Sequence, residues 1–530
     1  MNGTATHPDP ELDLLGDDPS TEYTAGAHHS SRTAPVFSGD ALDMLGTSVF
    51  PQRALYGRLI SQHAPQLAER PSVPKVYINT NTPFSAVVCG VQGSGKSHSA
   101  SVLLESCLIK DTRIGILPEP LSALLFHFDT AAGGGFVQPC EAAYLSQLNP
   151  NLRGEGIVPP PVTVLVVPSY LQSMKKVYAG LPNVRVEPLL FGPGDISGER
   201  LLSMMKVDES SQMPLYMESI MAILRSMQDE FDYYAFRTAI EQQGFNRSQM
   251  SMLRIRLSLL DSCLEGGTIE NSVASHFGKG QLTIIDLSSP FMDGSTACGF
   301  FDMILGLFIE ADIGVSGKLV VLDEAHKYLS ESQTGSSGRL TESLLSVIRQ
   351  QRHLATRIVI STQEPTVIPS KFLALCSIII AHRFSSPMWL KELGQHVSAA
   401  QGSTEELFSQ IIALPTGHAI MFAPNALCVR DTDNWGEEDG SKSRSHGLVS
   451  NLGQGYLQVR SRLRLTRDGG HSLLAVADPE HTTRLDRVSA RSGAAAGAAS
   501  SSGVNGWNLP AHKPLTPQPR VSATQDTASR

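Results

Sequence analysis

The residues best suited to chemistry are positions 90–97, which read Gly-Val-Gln-Gly-Ser-Gly-Lys-Ser. Their spacing fits the phosphate-loop pattern G-x-x-x-x-G-K-[ST] at every fixed position. Glycines let backbone N–H groups turn inward around an anion, and the following helix adds the positive end of its dipole. The pattern predicts a nucleoside triphosphate site, in which Lys96 reaches the β- and γ-phosphates and Ser97 binds Mg²⁺. The candidate nucleotide-binding residues are Gly90, Gln92, Gly93, Ser94, Gly95, Lys96, Ser97 and His98.

A second chemical element is the segment 318–326, Lys-Leu-Val-Val-Leu-Asp-Glu-Ala-His, in which an apolar run ends in two carboxylates. Such a run is typical of a buried parallel strand whose carboxyl end faces a ligand. We expect Asp323 to hold the Mg²⁺ shell and Glu324 to orient the water that attacks the γ-phosphate. His326 either contacts the γ-phosphate or caps the next helix.

Polar residues also end two later apolar runs. Gln363 ends the run at 356–365, where its amide either senses the γ-phosphate and holds the attacking water or bonds to a loop. Arg383 follows the next run. Phosphoryl transfer gains from an arginine supplied by a neighbouring subunit. We rank Arg383 and Arg352 first for that role.

The elements around these residues are strand-like apolar runs that alternate with helical patterns, which predicts an α/β three-layer domain with a mainly parallel sheet. Residues 199–279 change to three- and four-residue apolar steps, so we expect a helical insertion there. Asp129 ends one run and either positions water or metal or caps a turn. The further strand candidates are 122–130, 160–168, 183–191, 280–290 and 414–424.

Several local expectations complete this interpretation. Residues 53–70 are expected to form one helix, and 75–79 the first strand of the ordered domain. Residues 330–340 are expected to form a flexible loop before a helix at 341–351. The apolar run at 372–384 is expected to be a single buried strand.

Length and composition suggest how the chain is divided. A chain of 530 residues exceeds one ordinary core, and both of its ends are polar. We expect a disordered acidic tail at 1–45, a P-loop ATPase domain at 46–430, a hairpin extension at 431–477 and a disordered tail at 478–530. In the extension Arg460, Arg462 and Arg464 alternate on one face, which either grips phosphates or is solvated, the latter being favoured.

Charge and cysteine usage limit the setting of the protein. The net charge of −9 gives no general attraction to nucleic acid, so any such surface is local or lies inside a ring of subunits. The seven cysteines form no C-x-x-C pair and mostly lie in apolar runs, as reduced core thiols do. The sequence has no signal segment and no apolar run long enough for a membrane span. We expect a cytoplasmic or nuclear protein with no membrane partner.

These motifs together resemble the HerA/FtsK class of P-loop ATPases over roughly residues 75–430. The resemblance implies a RecA-like fold, ATP and Mg²⁺ as cofactors, and a homo-oligomer, usually a hexamer, that pumps DNA. It matches Lys96 and Ser97 to the Walker A pair, Asp323 and Glu324 to the Walker B pair, and Gln363 to the sensor. The segments that carry it are 90–97, 320–326, 349–352, 360–365 and 414–422.

The chain also departs from that class. Nothing ahead of residue 75 is expected to form the amino-terminal β-barrel of HerA-type members, and no winged-helix DNA reader follows the motor. These departures make ATP hydrolysis a firmer expectation than DNA translocation. They suggest a divergent member.

Three functions fit the motifs to different degrees. The first is an oligomeric ATPase that acts on nucleic acid, and the second is an ATP-binding assembly or scaffold ATPase that moves none. Stimulation of the ATPase by DNA separates these two. A third, a superfamily-two helicase suggested by Asp-Glu-Ala-His, is disfavoured because Asp323 follows Lys96 by 227 residues and no Ser-Ala-Thr motif follows.

Overall fold

One large sheet runs through the computed structural model, which describes residues 31–64, 67, 70–129, 137–152, 156–192, 194–205, 215–227, 231–290, 292–314, 317–329, 335–396, 404–430 and 448–469. Its strands are β1 (Val36–Ser38), β2 (Arg53–His63), β3 (Val76–Ile78), β4 (Ser85–Cys89), β5 (Gly115–Ile116), β6 (Ser122–His127), β7 (Val162–Val166), β8 (Val184–Pro188), β9 (Leu282–Asp286), β10 (Lys318–Leu322), β11 (Thr356–Thr362), β12 (Ile378–His382), β13 (His418–Phe422), β14 (Leu427–Arg430), β15 (Leu448–Asn451) and β16 (Tyr456–Ser461). Their order is β15-β14-β1-β3-β2-β16-β13-β12-β4-β11-β10-β6-β9-β7-β8, with β5 paired to β2.

Eight neighbouring strands, from β12 through β4, β11, β10, β6, β9 and β7 to β8, are mutually parallel. Their carboxyl ends therefore meet at one edge of the sheet. Strand β11 lies between β4, which precedes the phosphate loop, and β10, which precedes the acid pair. The predicted α/β fold with a mostly parallel sheet is confirmed.

Helices cover both faces of the parallel strands, since successive strand residues pack into two different apolar clusters. Val87 and Phe126 join the cluster that contains Phe301, whereas Val88 joins the one that contains Leu103. The helices are α1 (Gly39–Leu45), α2 (Lys96–Leu108), α3 (Leu171–Val177), α4 (Gly198–Met205), α5 (Leu215–Met227), α6 (Tyr233–Gln242), α7 (Arg247–Leu264), α8 (Gly294–Glu310), α9 (Gly335–Arg349), α10 (Ser370–Leu375), α11 (Pro387–His396) and α12 (Thr404–Ala413). Helices α4–α7 lie in the segment where the sequence predicts a helical insertion.

The segment ahead of residue 75 is more ordered than the sequence predicts. Residues 53–63 form strand β2 where a helix was expected, and β1 and α1 lie inside the expected disordered tail. Strand β2 is paired on both sides, by β3 and β16, and this pairing overrides its local helical pattern. Gly57 permits the pairing, because a Cβ there would lie 2.0 Å from the carbonyl oxygen of Arg460.

Two further expectations are wrong in detail. Helix α9 begins at Gly335, within the expected loop at 330–340, because Ser336 and Leu340 are buried against its neighbours. The run at 372–384 is not one strand, since helix α10 ends at Leu375 before β12 begins. Residues 330–334 lie outside the described residues.

The carboxyl-terminal segment also differs from its predicted form. Strand β16 enters the main sheet between β2 and β13. Arg462 and Arg464 are not on a solvated face, because their side chains are 9% and 1% exposed. The second strand of the expected hairpin and the tails at 1–30 and 478–530 lie outside the described residues, as do residues 431–447.

All seven cysteines are free thiols, and six of them are buried, as expected of reduced core cysteines. In the described part of the chain, no helix combines the length and the apolar character that crossing a bilayer requires.

Candidate active site

The phosphate loop leaves the end of β4 and leads directly into α2, whose first residue is Lys96. Gly93 and Gly95 adopt φ values of +73° and +112°, which side chains with a Cβ rarely tolerate. Gly90 has a φ of +150° and is needed for a second reason as well, since a Cβ there would lie 2.7 Å from the Cβ of His382. The loop conformation is therefore built into the sequence by its glycines.

Lys96 is the buried cation of the site. Its side chain bonds to the carbonyl oxygen of Val91 at 3.4 Å, and the residue is 4% exposed. Burial, the larger influence, lowers the pKa of Lys96, and the nearby carboxylates of Glu324 and Asp323 oppose this effect. The fold thus brings together the lysine and the two acids, although they are far apart in the sequence.

Asp323 follows β10, and its backbone N–H donates to the carbonyl oxygen of Phe126 at 3.0 Å. Its Oδ2 lies 3.1 Å from Nδ1 of His127, at the end of the adjacent strand β6. Burial raises the pKa of Asp323, but the hydrogen bond and charge of His127, together with the charges of Lys327 and Lys96, bring it below its usual value. The carboxylate is therefore held as an anion at the site.

His127 and Cys140 form the buried wall behind Asp323. Burial by itself would lower the pKa of His127, yet the Cys140 and Asp323 groups raise it well above its ordinary value. Burial raises the pKa of the Cys140 thiol to about 11. The sequence carried no motif for either residue, since they are polar groups adjacent to Asp323 only in the folded chain.

Glu324 is held in an unusual backbone conformation, with φ of +49° in the left-handed region. Its Oε2 accepts a hydrogen bond of 2.6 Å from Nε2 of Gln363, and Nε2 of His326 lies 3.5 Å from the same oxygen. Gln363 therefore orients the glutamate directly, rather than only facing a loop. His326 also lies near the backbone of Gln363, whose N–H donates to its Nδ1 at 3.4 Å.

Glu141, a residue that sequence reasoning missed, lies near Ser97. Burial raises the pKa of Glu141, and the charge of Arg464, 3.4 Å away, opposes this effect, as does the hydroxyl group of Ser97, which helps to lower the pKa of Glu141. The predicted metal ligand Ser97 is thus linked, through Glu141, to the segment that follows β16.

That segment is bound to α2 by a buried charge. Glu105 is fully buried and accepts hydrogen bonds from Arg462 Nη1 at 2.6 Å, Thr466 N at 2.8 Å and Thr466 Oγ1 at 2.6 Å. His98 adds a contact, since its Nε2 lies 2.8 Å from the carbonyl oxygen of Arg462. The residues after β16 therefore help to fix the helix that begins at the phosphate loop.

His382 packs against Gly90 of the phosphate loop. The residue is fully buried at the end of β12, with Nδ1 2.9 Å from the carbonyl oxygen of His418 and Nε2 2.9 Å from Oγ of Ser99. A carbonyl only accepts hydrogen bonds, so Nδ1 carries the proton and Nε2 accepts from the Ser99 hydroxyl. Tyr56 donates to the same Ser99 oxygen at 3.0 Å.

The two predicted arginines lie at opposite ends of the parallel strands. Arg383 follows β12, and its carbonyl accepts from the N–H of Val91 at 3.0 Å, so its exposed side chain starts beside the phosphate loop. Arg352 is also exposed but lies in the turn before β11, at the edge away from Gln363. Of these two arginines, therefore, only Arg383 lies at the end of the sheet that carries the phosphate loop.

The carboxylate of Asp129 pairs with Nζ of Lys327 at 3.0 Å, and residues 130–136, where it would cap a turn, lie outside the described residues. Lys327 belongs to the turn after Glu324. This ion pair joins the ends of β6 and β10 beside the acid pair.

The donor set fits a magnesium nucleotide. A serine hydroxyl and a carboxylate, from Ser97 and Asp323, are the hard oxygen ligands that Mg²⁺ takes. The buried ammonium of Lys96 forms no ion pair with an acidic side chain in the described part of the chain, and a phosphate oxygen would supply one. Ser97 and Asp323 would hold the metal, and Lys96 the phosphates.

The loop, the acid pair and the strand between them define a P-loop NTPase fold of the RecA-like class. No protein-family model and no curated protein matches the chain. Among solved structures, VirB4 of Thermoanaerobacter pseudethanolicus aligns at 10% identity over 77% of this chain and 97% of that one, with a TM-score of 0.42.

Two structures of the viral protein B204 also align with the chain. The DNA-packaging ATPase B204 from Sulfolobus turreted icosahedral virus matches at 11% identity over 64% of this chain and 92% of that one, with a TM-score of 0.29. The genome packaging NTPase B204 from Sulfolobus turreted icosahedral virus 2, in complex with sulfate, matches at 16% identity over 27% of this chain, with a TM-score of 0.22. In that alignment the chain spans 62% of B204. At these values the similarity carries no functional argument.

Proposed function

We propose that this protein is a Mg²⁺-dependent ATPase and an oligomeric motor of the HerA/FtsK type, with nucleic acid as its candidate substrate. The observation that carries the proposal is the meeting of the buried Lys96 with Asp323 and Glu324 at the edge where the phosphate loop ends. A core packing role does not account for a buried ammonium placed beside glycine-lined backbone amides and two carboxylates.

The chain's own residues divide the chemistry among them. Lys96 and the loop amides bind the β- and γ-phosphates and stabilise the charge that develops on the transferring group. Glu324 orients the attacking water and polarises it, while Gln363 sets the direction of the glutamate. Ser97 and Asp323 would hold Mg²⁺, which would neutralise part of the phosphate charge when bound.

The first test separates binding from turnover. Lys96→Ala should abolish nucleotide binding, whereas Glu324→Gln should retain binding and stop phosphate release. Binding is measured by calorimetry with Mg²⁺ and ATP, and turnover by phosphate release. The matched control is Lys110→Ala, which removes an exposed lysine from the residues after the same helix. A Glu324→Gln protein with normal turnover would contradict the assigned role.

The second test concerns assembly and substrate. The purified protein is sized by light scattering with and without ATP and duplex DNA, while phosphate release is recorded. A ring-sized assembly whose turnover rises with DNA supports the motor. Nucleotide-dependent assembly with no response to DNA supports the alternative, an ATP-binding scaffold that moves no nucleic acid.

The exposed arginines can be tested by mixing variants. If Arg383 acts on the site of a neighbouring subunit, an Arg383→Ala chain keeps an intact phosphate loop and needs only another subunit's arginine. Mixing it with an inactive Lys96→Ala chain should then restore turnover above that of either variant alone. The same mixture with Arg352→Ala tests the other candidate, and no recovery in either mixture would exclude both from this role.

A further inference from the structure

Three potential metal ligands of different chemistry meet behind the acid pair. They are Nδ1 of His127, Sγ of Cys140 and Oδ2 of Asp323, and all three atoms lie within 4.8 Å of one another. The aspartate oxygen is 3.1 Å from the histidine nitrogen and 3.8 Å from the sulfur. Cys140 is fully buried, and the side chains of His127 and Asp323 are 9% and 14% exposed.

These separations approach those of a tetrahedral zinc site. With bonds of about 2.0–2.2 Å to nitrogen and oxygen and about 2.3 Å to sulfur, neighbouring ligand atoms stand about 3.4 Å and about 3.6 Å apart. The observed N···O and S···O distances differ from these values by a few tenths of an ångström. Side-chain rotations are enough to close such differences, and the third separation, from Nδ1 of His127 to Sγ of Cys140, is within 4.8 Å.

A second set of hydrogen bonds fixes the cysteine. The hydroxyl of Tyr178 donates to Oδ2 of Asp286 at 2.6 Å, and its oxygen accepts from the backbone N–H of Cys140 at 3.0 Å. Tyr178 and Asp286 are each 1% exposed. Such outer contacts orient ligands and are typical of metal sites.

We propose that Nδ1 of His127, Sγ of Cys140 and Oδ2 of Asp323 form a three-ligand Zn²⁺ site whose fourth position is open to water. Binding displaces the thiol proton and the Nδ1 proton to solvent. Imidazole and thiolate favour zinc over magnesium, which prefers oxygen ligands, so this site selects a different metal from the nucleotide site, with which it shares Asp323.

Zinc bound at this site would weaken the binding of the magnesium nucleotide. The ion adds positive charge beside Asp323 and takes up one of its oxygens, so the carboxylate attracts Mg²⁺ less strongly. By linkage, Mg²⁺ and nucleotide would weaken zinc binding by the same factor. This consequence rests on the proposed function, whereas the zinc site itself does not.

The site is tested on nucleotide-free protein with Co²⁺ as a spectroscopic stand-in for Zn²⁺. The wild type should show a thiolate-to-cobalt charge-transfer band, and Zn²⁺ should remove it with one equivalent. Cys140→Ser should abolish the band and weaken zinc binding at least about tenfold, on the scale of losses caused by changes around metal ligands. Cys263→Ser, which alters a buried thiol in α7, is the matched control and should keep both signals.

A wild-type protein without the charge-transfer band, or a Cys140→Ser protein with unchanged zinc affinity and the band intact, would overturn the proposal. Circular dichroism of each variant checks its folding, and His127→Gln provides a second ligand variant if Cys140→Ser is unfolded. Calorimetry of Mg²⁺ with ADP, with and without Zn²⁺, then measures how much zinc weakens the binding of the magnesium nucleotide. A cobalt band in a protein without ATPase activity would refute the proposed function and leave the zinc site standing.

Discussion

His382 should make the protein less stable as the pH falls from about 6.5 to about 4. The pKa of His382 is lowered to about 4. Burial is the largest influence, the hydrogen bond to the His418 carbonyl opposes it, and the charge of Lys96 acts in the same direction as burial. The folded protein therefore keeps this imidazole neutral. Protonation would break the bond that Nε2 accepts from Ser99.

The size of the effect follows from the two pKa values. In the unfolded chain the histidine titrates near its ordinary value of 6.5, so below that pH the unfolded state binds a proton that the folded state excludes. The contribution is complete above pH 6.5 and is lost progressively down to the folded value. The full difference corresponds to about 3 kcal/mol, and the part between about pH 6.5 and 5 to about 2 kcal/mol.

Two measurements check this prediction. Hydrogen–deuterium exchange at the imidazole carbon, followed by mass spectrometry, gives the pKa of His382 directly. Thermal unfolding of the wild type and His382→Asn is then compared across the same pH range, since the asparagine amide retains a donor but cannot be protonated there. The stability advantage of the wild type should shrink as the pH falls.

The same replacement at the exposed His353 is the matched control. A measured pKa near 6.5 for His382, or pH profiles for the wild type and His382→Asn that run parallel, would refute the reasoning that burial keeps this ring neutral.

Three other substitutions probe the site and its supports. Glu105→Ala should cost about 3–5 kcal/mol in unfolding experiments, because it leaves the largely buried Arg462 without its anion and removes one of the carboxylates beside Arg464; a loss below 1 kcal/mol, on the order of an exposed pair, would contradict this account. Gly57→Ala should lower the thermal midpoint and expose β2 to proteolysis, because the new methyl group would clash with the Arg460 carbonyl. An unchanged midpoint would show that β2 and β16 accommodate the methyl group without loss of stability. Gln363→Ala should lower kcat roughly 100-fold with little change in KM, because Glu324 loses its orienting donor; a raised KM at constant kcat would instead assign Gln363 to substrate binding.

Local patterns in the chain were enough to find the residues of the proposed site. The glycines of the phosphate loop, Lys96 and the run that ends in Asp323 and Glu324 each carry their meaning in a few consecutive residues. A parallel sheet then brings such strand ends together without further information, because all of its carboxyl ends lie on one side. For this reason the α/β fold was predictable, and so was the proximity of Lys96 to the acid pair.

Contacts between distant segments were decided only by the tertiary structure. Residues 53–63 became a strand because β3 and β16 pair with them, and their own sequence favoured a helix. Likewise, His127 and Cys140 meet Asp323, and Arg464 meets Glu105, across long stretches of chain. Spacing along a sequence encodes the geometry of one strand or helix, whereas the partner of a buried charge depends on which strands lie side by side. The sequence by itself therefore determined the chemistry at the loop, and the assembled sheet determined what surrounds it.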